Sequence, residues 1–208
     1  MEKKANSKPM QELMKRLQPE FFEIVIFKEE VILSQAIETW PVVDALIAFY
    51  SNGYPTSKTL DYIKLRSPYC INDLAMESTL ADRRLVYKLL QECGVNVPNY
   101  VVLNREDPSE VSQVEEFDEY VIINGKQLNK PLVEKPVDAE DHNIHIYYPT
   151  SAGGGSKRLF RKIDNKSSQF YPHANELRKE GSYIYEEFLS TSGTDVKVRD
   201  SFFHILSW

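Results

Sequence analysis

The stretch that decides the fold is Val133–Ile163, VEKPVDAEDHNIHIYYPTSAGGGSKRLFRKI. It contains strand-forming runs at 131–137, 145–149 and 158–163, joined by polar or glycine-rich connections. Further strand patterns lie before and after this stretch, at 101–103, 120–125 and 182–188. Because the strands are close in sequence and few helices separate them, this part is predicted to be an α+β domain with mostly antiparallel strands.

Upstream of this region, helix and strand patterns alternate. Ser7 is a candidate helix cap with Pro9 in the first turn, and a second helix is predicted over 58–65. Strands are predicted at 21–27, 30–33 and 44–50. The alternation predicts a small α/β domain.

A further amphipathic helix follows Leu80 and stops at Gly94. Its apolar face is formed by Leu85, Val86, Leu89, Leu90 and Cys93. Since the pattern changes here from α/β to strand-rich, we place a domain boundary near residue 80.

The amino-acid composition and net charge exclude several classes of protein. The 208 residues are 42% hydrophobic and 27% charged, which predicts a folded, soluble chain of one or two domains. The net charge of -6 opposes nucleic-acid binding, so any anion site must be local. No apolar run is long enough to span a membrane, and no signal peptide is visible. Cys70 and Cys93 are predicted to be reduced core residues of a cytosolic protein.

Three of the eight glycines stand together at Gly153–Gly155, and four cations follow: Lys157, Arg158, Arg161 and Lys162. Consecutive glycines allow backbone N–H groups to converge on a phosphate, and they equally suit a flexible hairpin turn. The cations could bind an anion or could protect a solvated edge strand. Side chains alternate along a strand, so Arg161 and Lys162 share one pocket only where the strand ends or bulges.

Two cationic candidates lie before the glycines. Lys135 stands in an apolar strand pattern, so it either pairs with an anion such as a phosphate or extends along the strand to solvent. His142, in the loop AEDHN, could donate to a phosphate oxygen or pair with Asp141.

Two further pairs of candidate residues lie near the C-terminus. Glu186 and Glu187 end an apolar strand, where the backbone could contact a flat heteroaromatic base. Asp195 and Lys197 share one face of a later strand pattern and could equally form a surface ion pair.

Taken in order, the segments SKPM, INDL, DRRLVY, VEKPVDAEDHNIHIYYPTSAGGGSKRLFRKI, SYIYEEF and GTDVKV form a set. The set resembles the kinase domain of the diphosphoinositol-pentakisphosphate kinases. These ATP-grasp enzymes phosphorylate inositol hexakisphosphate and its 5-diphosphate to inositol pyrophosphates. The resemblance runs from about Lys3 to Val198. It implies an N-terminal α/β (pre-ATP-grasp) domain followed by an incomplete ATP-grasp domain.

The resemblance also implies roles for individual residues. The ATP contacts would be Arg83, Lys135, His142, Arg161, Glu186, Glu187, Phe188, Leu189, Asp195, Val196 and Lys197. The polyphosphate-substrate contacts would be Lys3, Lys4, Arg161, Lys162 and Lys197. Arg161 and Lys197 would touch both ligands and take the catalytic role of bringing the γ-phosphate to its acceptor.

Both ends depart from the family pattern. The family begins with a strand before the first lysines and continues, after Val198, into the part that holds Mg²⁺, whereas this chain reads RDSFFHILSW. We therefore expect three regions: 1–80 without its first strand, 81–198 as the first part of the kinase domain, and a divergent 199–208. ATP and Mg²⁺ are the expected cofactors, with no metal ligand in this chain, and the chain alone is predicted to be inactive.

Two alternatives to the kinase interpretation stay open. The chain could be a non-catalytic module that binds ATP or inositol polyphosphates as a buffer or regulator. It could also be another ATP-grasp ligase acting on carboxylates, although such ligases do not share the DHNIxIYYPTSAGGG pattern. The expected ligands under the kinase interpretation are inositol hexakisphosphate and diphosphoinositol pentakisphosphate.

Overall fold

A computed structural model describes residues 2–49, 53–110 and 112–192. The chain divides into two compact units, Met1–Ala81 and Asp82–Trp208. Both contain helices as well as sheets, which is consistent with the predicted α/β class of the first part and the predicted α+β class of the second. Within the described residues, no helix combines the length and the apolarity that crossing a membrane requires.

The first unit consists of short helices around one pair of strands. Its elements are α1 (Glu2–Ala5), α2 (Lys8–Met14), α3 (Glu29–Ser34), β1 (Ala45–Leu46), α4 (Thr56–Arg66), β2 (Tyr69–Cys70) and α5 (Glu77–Ala81). β1 and β2 pair in parallel. The core is formed by Ile32, Trp40 and Tyr62, with Phe27 packed edge-on against both aromatic rings.

Three strand predictions in this unit are wrong or too long. The segment 21–27 is irregular, because no described strand lies beside it to complete a ladder, and it is exposed up to Phe27, which packs on the core. The segment 30–33 lies within helix α3, where Glu29 and Glu30 in the first turn favour a helix N-terminus. The predicted strand at 44–50 is reduced to the two residues of β1.

The helix predictions fare better. α4 confirms the helix over 58–65, and α2 confirms the helix after Ser7. Ser7 occupies the cap position, but its side chain makes no capping hydrogen bond. Lys3 and Lys4 lie in α1, shortly before the N-terminus of α2.

The second unit begins with α6 (Arg83–Glu92). The Asp82 carboxylate caps this helix by accepting the amide of Arg84, and Gly94 follows the helix with φ of +71°. The predicted helix is therefore confirmed, but its predicted apolar face is only partly correct, because Leu85 is exposed and the buried residue of α6 is Tyr87. The prediction that both cysteines are core residues is wrong: Cys93 is exposed just after the last turn of α6, and Cys70 is half-buried in the first unit.

The described part of the second unit contains nine strands: β3 (Tyr100–Leu103), β4 (Val114–Glu116), β5 (Tyr120–Ile123), β6 (Lys126–Asn129), β7 (Leu132–Pro136), β8 (Ile144–Tyr147), β9 (Ser156–Ile163), β10 (Lys166–Tyr171) and β11 (Tyr183–Glu187). The six strands predicted between residues 101 and 188 are present, whereas the strand pattern around Asp195 and Lys197 lies outside the described residues. β4, β6 and β10 were not predicted, because their sequences VEE, KQLN and KSSQFY lack a run of apolar residues.

A six-stranded antiparallel sheet has the order β10-β9-β8-β7-β11-β3, and β4-β5-β6 forms a second sheet. The core of the unit contains residues of both sheets together with Leu177: Leu103, Val121, Ile123, Leu128, Leu132, Tyr147, Tyr183 and Tyr185. In each strand of the large sheet, alternate residues therefore point towards this core or away from it.

The other side of the large sheet is called here the α6 face, because Tyr87 of α6 lies against it. Cross-strand partners share a face, and Val133 pairs with both Glu186 and Ile146, while Ile146 pairs with Lys157. Lys135 lies two residues from Val133 on the same side. The α6 face therefore carries Val133, Lys135, Ile146, Lys157 and Glu186.

Candidate functional site

Arg83, the first residue of α6, is held by a connection of the large sheet. Its guanidinium donates hydrogen bonds to the carbonyl oxygens of Pro136, Asp138, Ala139 and Asp141. Burial lowers the pKa of Arg83, and nearby acidic groups act in the opposite direction. Arg83 thus clamps the connection 137–143, which we call the β7–β8 loop.

The β7–β8 loop carries His142 and approaches Arg161. The Asp138 and Asp141 carboxylates accept the amides of Glu140 and Asn143, each at 2.9 Å. Glu140 forms an ion pair with Arg161 at 2.9 Å, and His142 is exposed. Asp141 therefore stabilises the turn through its contact with the backbone. Arg83, His142 and Arg161, which are distant in sequence, all meet at this loop.

Lys135 has an anionic partner within the chain. Its Nζ pairs with the Glu186 carboxylate and donates to the Tyr87 hydroxyl at 3.1 Å, and that hydroxyl donates to Glu186. The side chains of Lys135 and Glu186 are 24% and 6% exposed. Burial, together with Glu186, raises the pKa of Tyr87, so the hydroxyl stays neutral. The Glu186 carboxylate is thus sufficient to pair with the largely buried charge of Lys135, and neither a bound phosphate nor exposure of the ammonium group to solvent is required.

The strand end 186–189 was expected to contact a base through its backbone. The N–H of Glu187 already donates to Asn99 O at 2.9 Å, and that of Phe188 donates to Pro131 O at 3.3 Å. These two N–H groups close the end of the sheet and are not free for a ligand. Leu189, the last residue of the segment, is exposed.

The glycine run forms a tight turn rather than an anion cradle. Gly153, Gly154 and Gly155 all have positive φ, and their N–H groups donate to Thr150 O, Pro149 O and Asn175 Oδ1. Arg161 lies six residues further along β9, roughly 20 Å for an extended strand. The hairpin alternative is thus correct, and the glycines are separated from the cation proposed to bind phosphate.

The cations of β9 have different surroundings. β9 lies between β8 and β10 over Ser156–Leu159, so the edge-strand interpretation is wrong for Lys157 and Arg158, whereas beyond Leu159 only β10 pairs with β9. Arg158 is half-buried and donates to Asn143 Oδ1 at 2.6 Å. Lys166 pairs with Ile163 but Ser168 pairs with Leu159, which places extra residues on β9 around Arg161 and Lys162. This bulge breaks the alternation of faces at these two residues, as sharing one pocket would require.

The remaining candidates lie outside the described residues or at exposed positions. Asp195, Val196 and Lys197 lie outside the described residues. Lys3 and Lys4 are exposed in the first unit, whereas Lys162 is exposed in the second. Over 2–49, 53–110 and 112–192, no group of three His, Cys, Asp or Glu side chains is arranged to hold a metal ion.

One buried polar cluster was missed by the sequence reasoning. Glu134 is fully buried on the core side of β7 and accepts hydrogen bonds from Tyr147 Oη, Tyr185 Oη and Arg178 Nε at 3.2, 2.8 and 2.5 Å. Arg178 also lies over the Tyr183 ring, at 4.2 Å from its centroid. The available signal was a glutamate two residues after Leu132 in an apolar strand, on the same face as that leucine. A carboxylate buried in this way requires hydrogen-bond donors.

Comparisons with known proteins agree with the motif resemblance. The sequence model of the Diphosphoinositol pentakisphosphate kinase 2 N-terminal domain matches residues 1–82. The chain is 53% identical over 201 residues to the human inositol hexakisphosphate and diphosphoinositol-pentakisphosphate kinase 2, covering 95% of this chain and 16% of the human protein. It is a relative of the diphosphoinositol-pentakisphosphate kinases.

The similarity extends across distant organisms. Kinases named for the same two substrates are 51% identical in Arabidopsis thaliana and 45% identical in Saccharomyces cerevisiae, in each case over 95% of this chain. The chain spans 19% of the length of each of these two relatives. The resemblance predicted from the motifs is thus confirmed, for a chain that corresponds to less than a fifth of each relative.

Proposed function

We propose that this chain is the nucleotide- and inositol-polyphosphate-binding part of a kinase of inositol hexakisphosphate and diphosphoinositol pentakisphosphate. The main observation in support of this proposal is that Arg83, His142 and Arg161 meet at the β7–β8 loop. A dense polyanion is bound best by several charge-assisted hydrogen bonds. Relatives named as kinases of these substrates support the assignment.

The donors around this loop suit the phosphates of ATP. Lys135 and Arg161 each neutralise a carboxylate of the chain, Glu186 and Glu140 respectively. A phosphate group can take the place of such a carboxylate and offers more acceptor oxygens. We propose that the base lies near the end of β11 and that Leu189, rather than the bonded N–H groups before it, contacts it.

In this proposal the chain orients ATP and its acceptor, and phosphoryl transfer depends mainly on positioning and charge neutralisation. Arg161 would contact both ligands, and Lys3, Lys4 and Lys162 would contact the acceptor. Bound Mg²⁺ would neutralise phosphate charge, but no ligand for it is assigned to the described residues. Asp195, Val196 and Lys197 keep the roles implied by the resemblance.

We further propose that the two units form a pre-ATP-grasp domain and the beginning of an ATP-grasp domain in a cytosolic protein. The antiparallel large sheet supports this assignment for the second unit. That the 208-residue polypeptide binds without turnover also remains a prediction, and its short span relative to the named kinases favours it. Conversion of inositol hexakisphosphate by the purified polypeptide would refute it.

Titration calorimetry with ATP and with inositol hexakisphosphate tests the binding site. Arg161→Ala should weaken binding by about 1.5–3 kcal/mol, the range for a hydrogen bond to a charged group. Lys166→Ala is the matched control, because it removes a cation from the same hairpin outside the candidate site. Equal affinity of the Arg161→Ala variant and the unchanged chain would remove Arg161 from the site.

A further inference from the structure

The cluster around Glu134 has no part in the proposed ligand contacts, yet it is the most completely bonded polar group in the core. Its carboxylate lies on the face of β7 opposite Lys135 and receives three side-chain donors and the backbone N–H of Arg178. Isolated buried ion pairs seldom add net stability, because desolvation offsets the attraction between the charges. Their best-attested value lies in holding one arrangement of the structure.

Arg178 connects this cluster to the β7–β8 loop. While Nε donates to Glu134, Nη2 donates to Asn143 O at 2.8 Å. The Arg178 side chain is only 22% exposed, and its guanidinium lies over the Tyr183 ring. Arg158 donates to the Asn143 side chain at 2.6 Å. Asn143 is thus fixed through both its backbone and its side chain.

Asn143 directly follows His142, and Arg83 holds the earlier carbonyl groups of the same loop. The loop is therefore clamped at both ends by arginines. Each arginine donates to backbone carbonyl groups, so its grip does not depend on which side chains the loop carries.

We infer that Arg178, oriented by Glu134, is a positioning residue that holds the β7–β8 loop, and with it His142, in the conformation that binds phosphate groups. The binding half of this inference rests on the proposed function. The geometric half does not, because it concerns the order of the loop without any ligand. A lysine cannot replace Arg178 fully, since one ammonium group lacks the planar fork that reaches both Glu134 and Asn143.

The test uses Arg178→Lys in the full 208-residue chain, with Lys179→Met as the matched control. Lys179 is adjacent, but its ion pair with Glu176 is exposed. Amide hydrogen exchange is measured across the loop and across the β5–β6 pair, and ATP affinity is measured by calorimetry. Arg178→Lys should raise the exchange rate in the loop roughly tenfold or more and weaken ATP binding to a similar degree. Exchange in β5 and β6 should stay unchanged.

A second variant keeps the outcome decisive. Glu134→Gln retains an acceptor for Arg178 in the same shape, so loop exchange should rise less than in Arg178→Lys. Loop exchange unchanged in Arg178→Lys, or raised equally in β5 and β6, would overturn the positioning role. If the unchanged chain does not bind ATP, the proposed function fails, while the exchange data still decide whether Arg178 orders the loop.

Discussion

At the scale of single residues, charge pairs decide what the candidate site can do. Lys135 pairs with Glu186 and Arg161 pairs with Glu140, so the charges of these two candidate phosphate ligands are neutralised within the chain. The first pair is largely buried and the second is exposed. Exposed pairs contribute little to stability, so we expect Arg161 to be released to a ligand more readily than Lys135.

Tyr87→Phe should destabilise the second unit by about 1–3 kcal/mol, because the buried Glu186 carboxylate loses a hydrogen-bond donor. Urea unfolding measures this difference. Tyr100→Phe is the matched control: its ring packs against that of Tyr87, but its hydroxyl bonds Gln91 at an exposed site. Equal losses for the two variants would contradict a special role of the Tyr87 hydroxyl.

His145 should make stability depend on pH. Burial lowers its pKa below the usual 6.5, with further lowering by Arg178 and Arg158 and opposition from Glu134. Below about pH 6.5, His145 therefore binds a proton in the unfolded chain more readily than in the folded chain. The free energy of unfolding consequently falls with decreasing pH. His145→Asn should flatten this fall in urea midpoints measured between pH 7 and 5.

The same substitution at an exposed histidine, His173→Asn, provides the matched control for that series. A slope in His145→Asn equal to that of the unchanged chain would show that another group titrates in this window.

At the scale of elements, the two connections flanking β8 have opposite characters. The β7–β8 loop is held by arginines from outside it. The glycine turn before β9 satisfies its own N–H groups with Pro149, Thr150 and Asn175. The first therefore depends on arginine side chains from elsewhere in the unit, whereas the second depends on backbone conformations that glycine favours together with one distant side chain, Asn175.

Gly155→Ala should be much more destabilising than Gly153→Ala. Both positions have positive φ, which costs roughly 1–2 kcal/mol for a residue with a Cβ. At Gly155 the added Cβ would also lie 2.8 Å from Tyr171 O, whereas at Gly153 it meets open space. Thermal unfolding of the two variants gives the comparison, and equal midpoints would contradict the close packing of this turn.

At the scale of the whole molecule, the two units differ in how completely they cover apolar surface. The second has a continuous core between its sheets. The first has a mostly apolar cavity of about 520 Å³ lined by residues of the unpaired segment 21–27. Phe21 is 77% exposed and Phe22 54%. Apolar patches of this kind bind hydrophobic dyes and promote association.

We therefore expect the chain to enhance the fluorescence of anilinonaphthalene sulfonate at pH 7, and Phe21→Ser with Phe22→Ser to reduce the signal by at least half. A matched pair in the second unit, Ile163→Ser with Phe170→Ser, removes exposed apolar groups outside the cavity. The larger reduction should come from the first pair, and the reverse order would place the dye elsewhere.

The sequence by itself determined the helices with strong amphipathic patterns, the six apolar strands and the kinship, because periodicity and motifs are local properties of the chain. It also marked most candidate site residues. Only the tertiary structure decided their partners: Glu186 for Lys135, carbonyl groups for Arg83, and Arg178 for Glu134. It likewise decided that 21–27 is not a strand. Ladders and buried ion pairs join residues that lie far apart in sequence, and no local pattern specifies which distant group arrives.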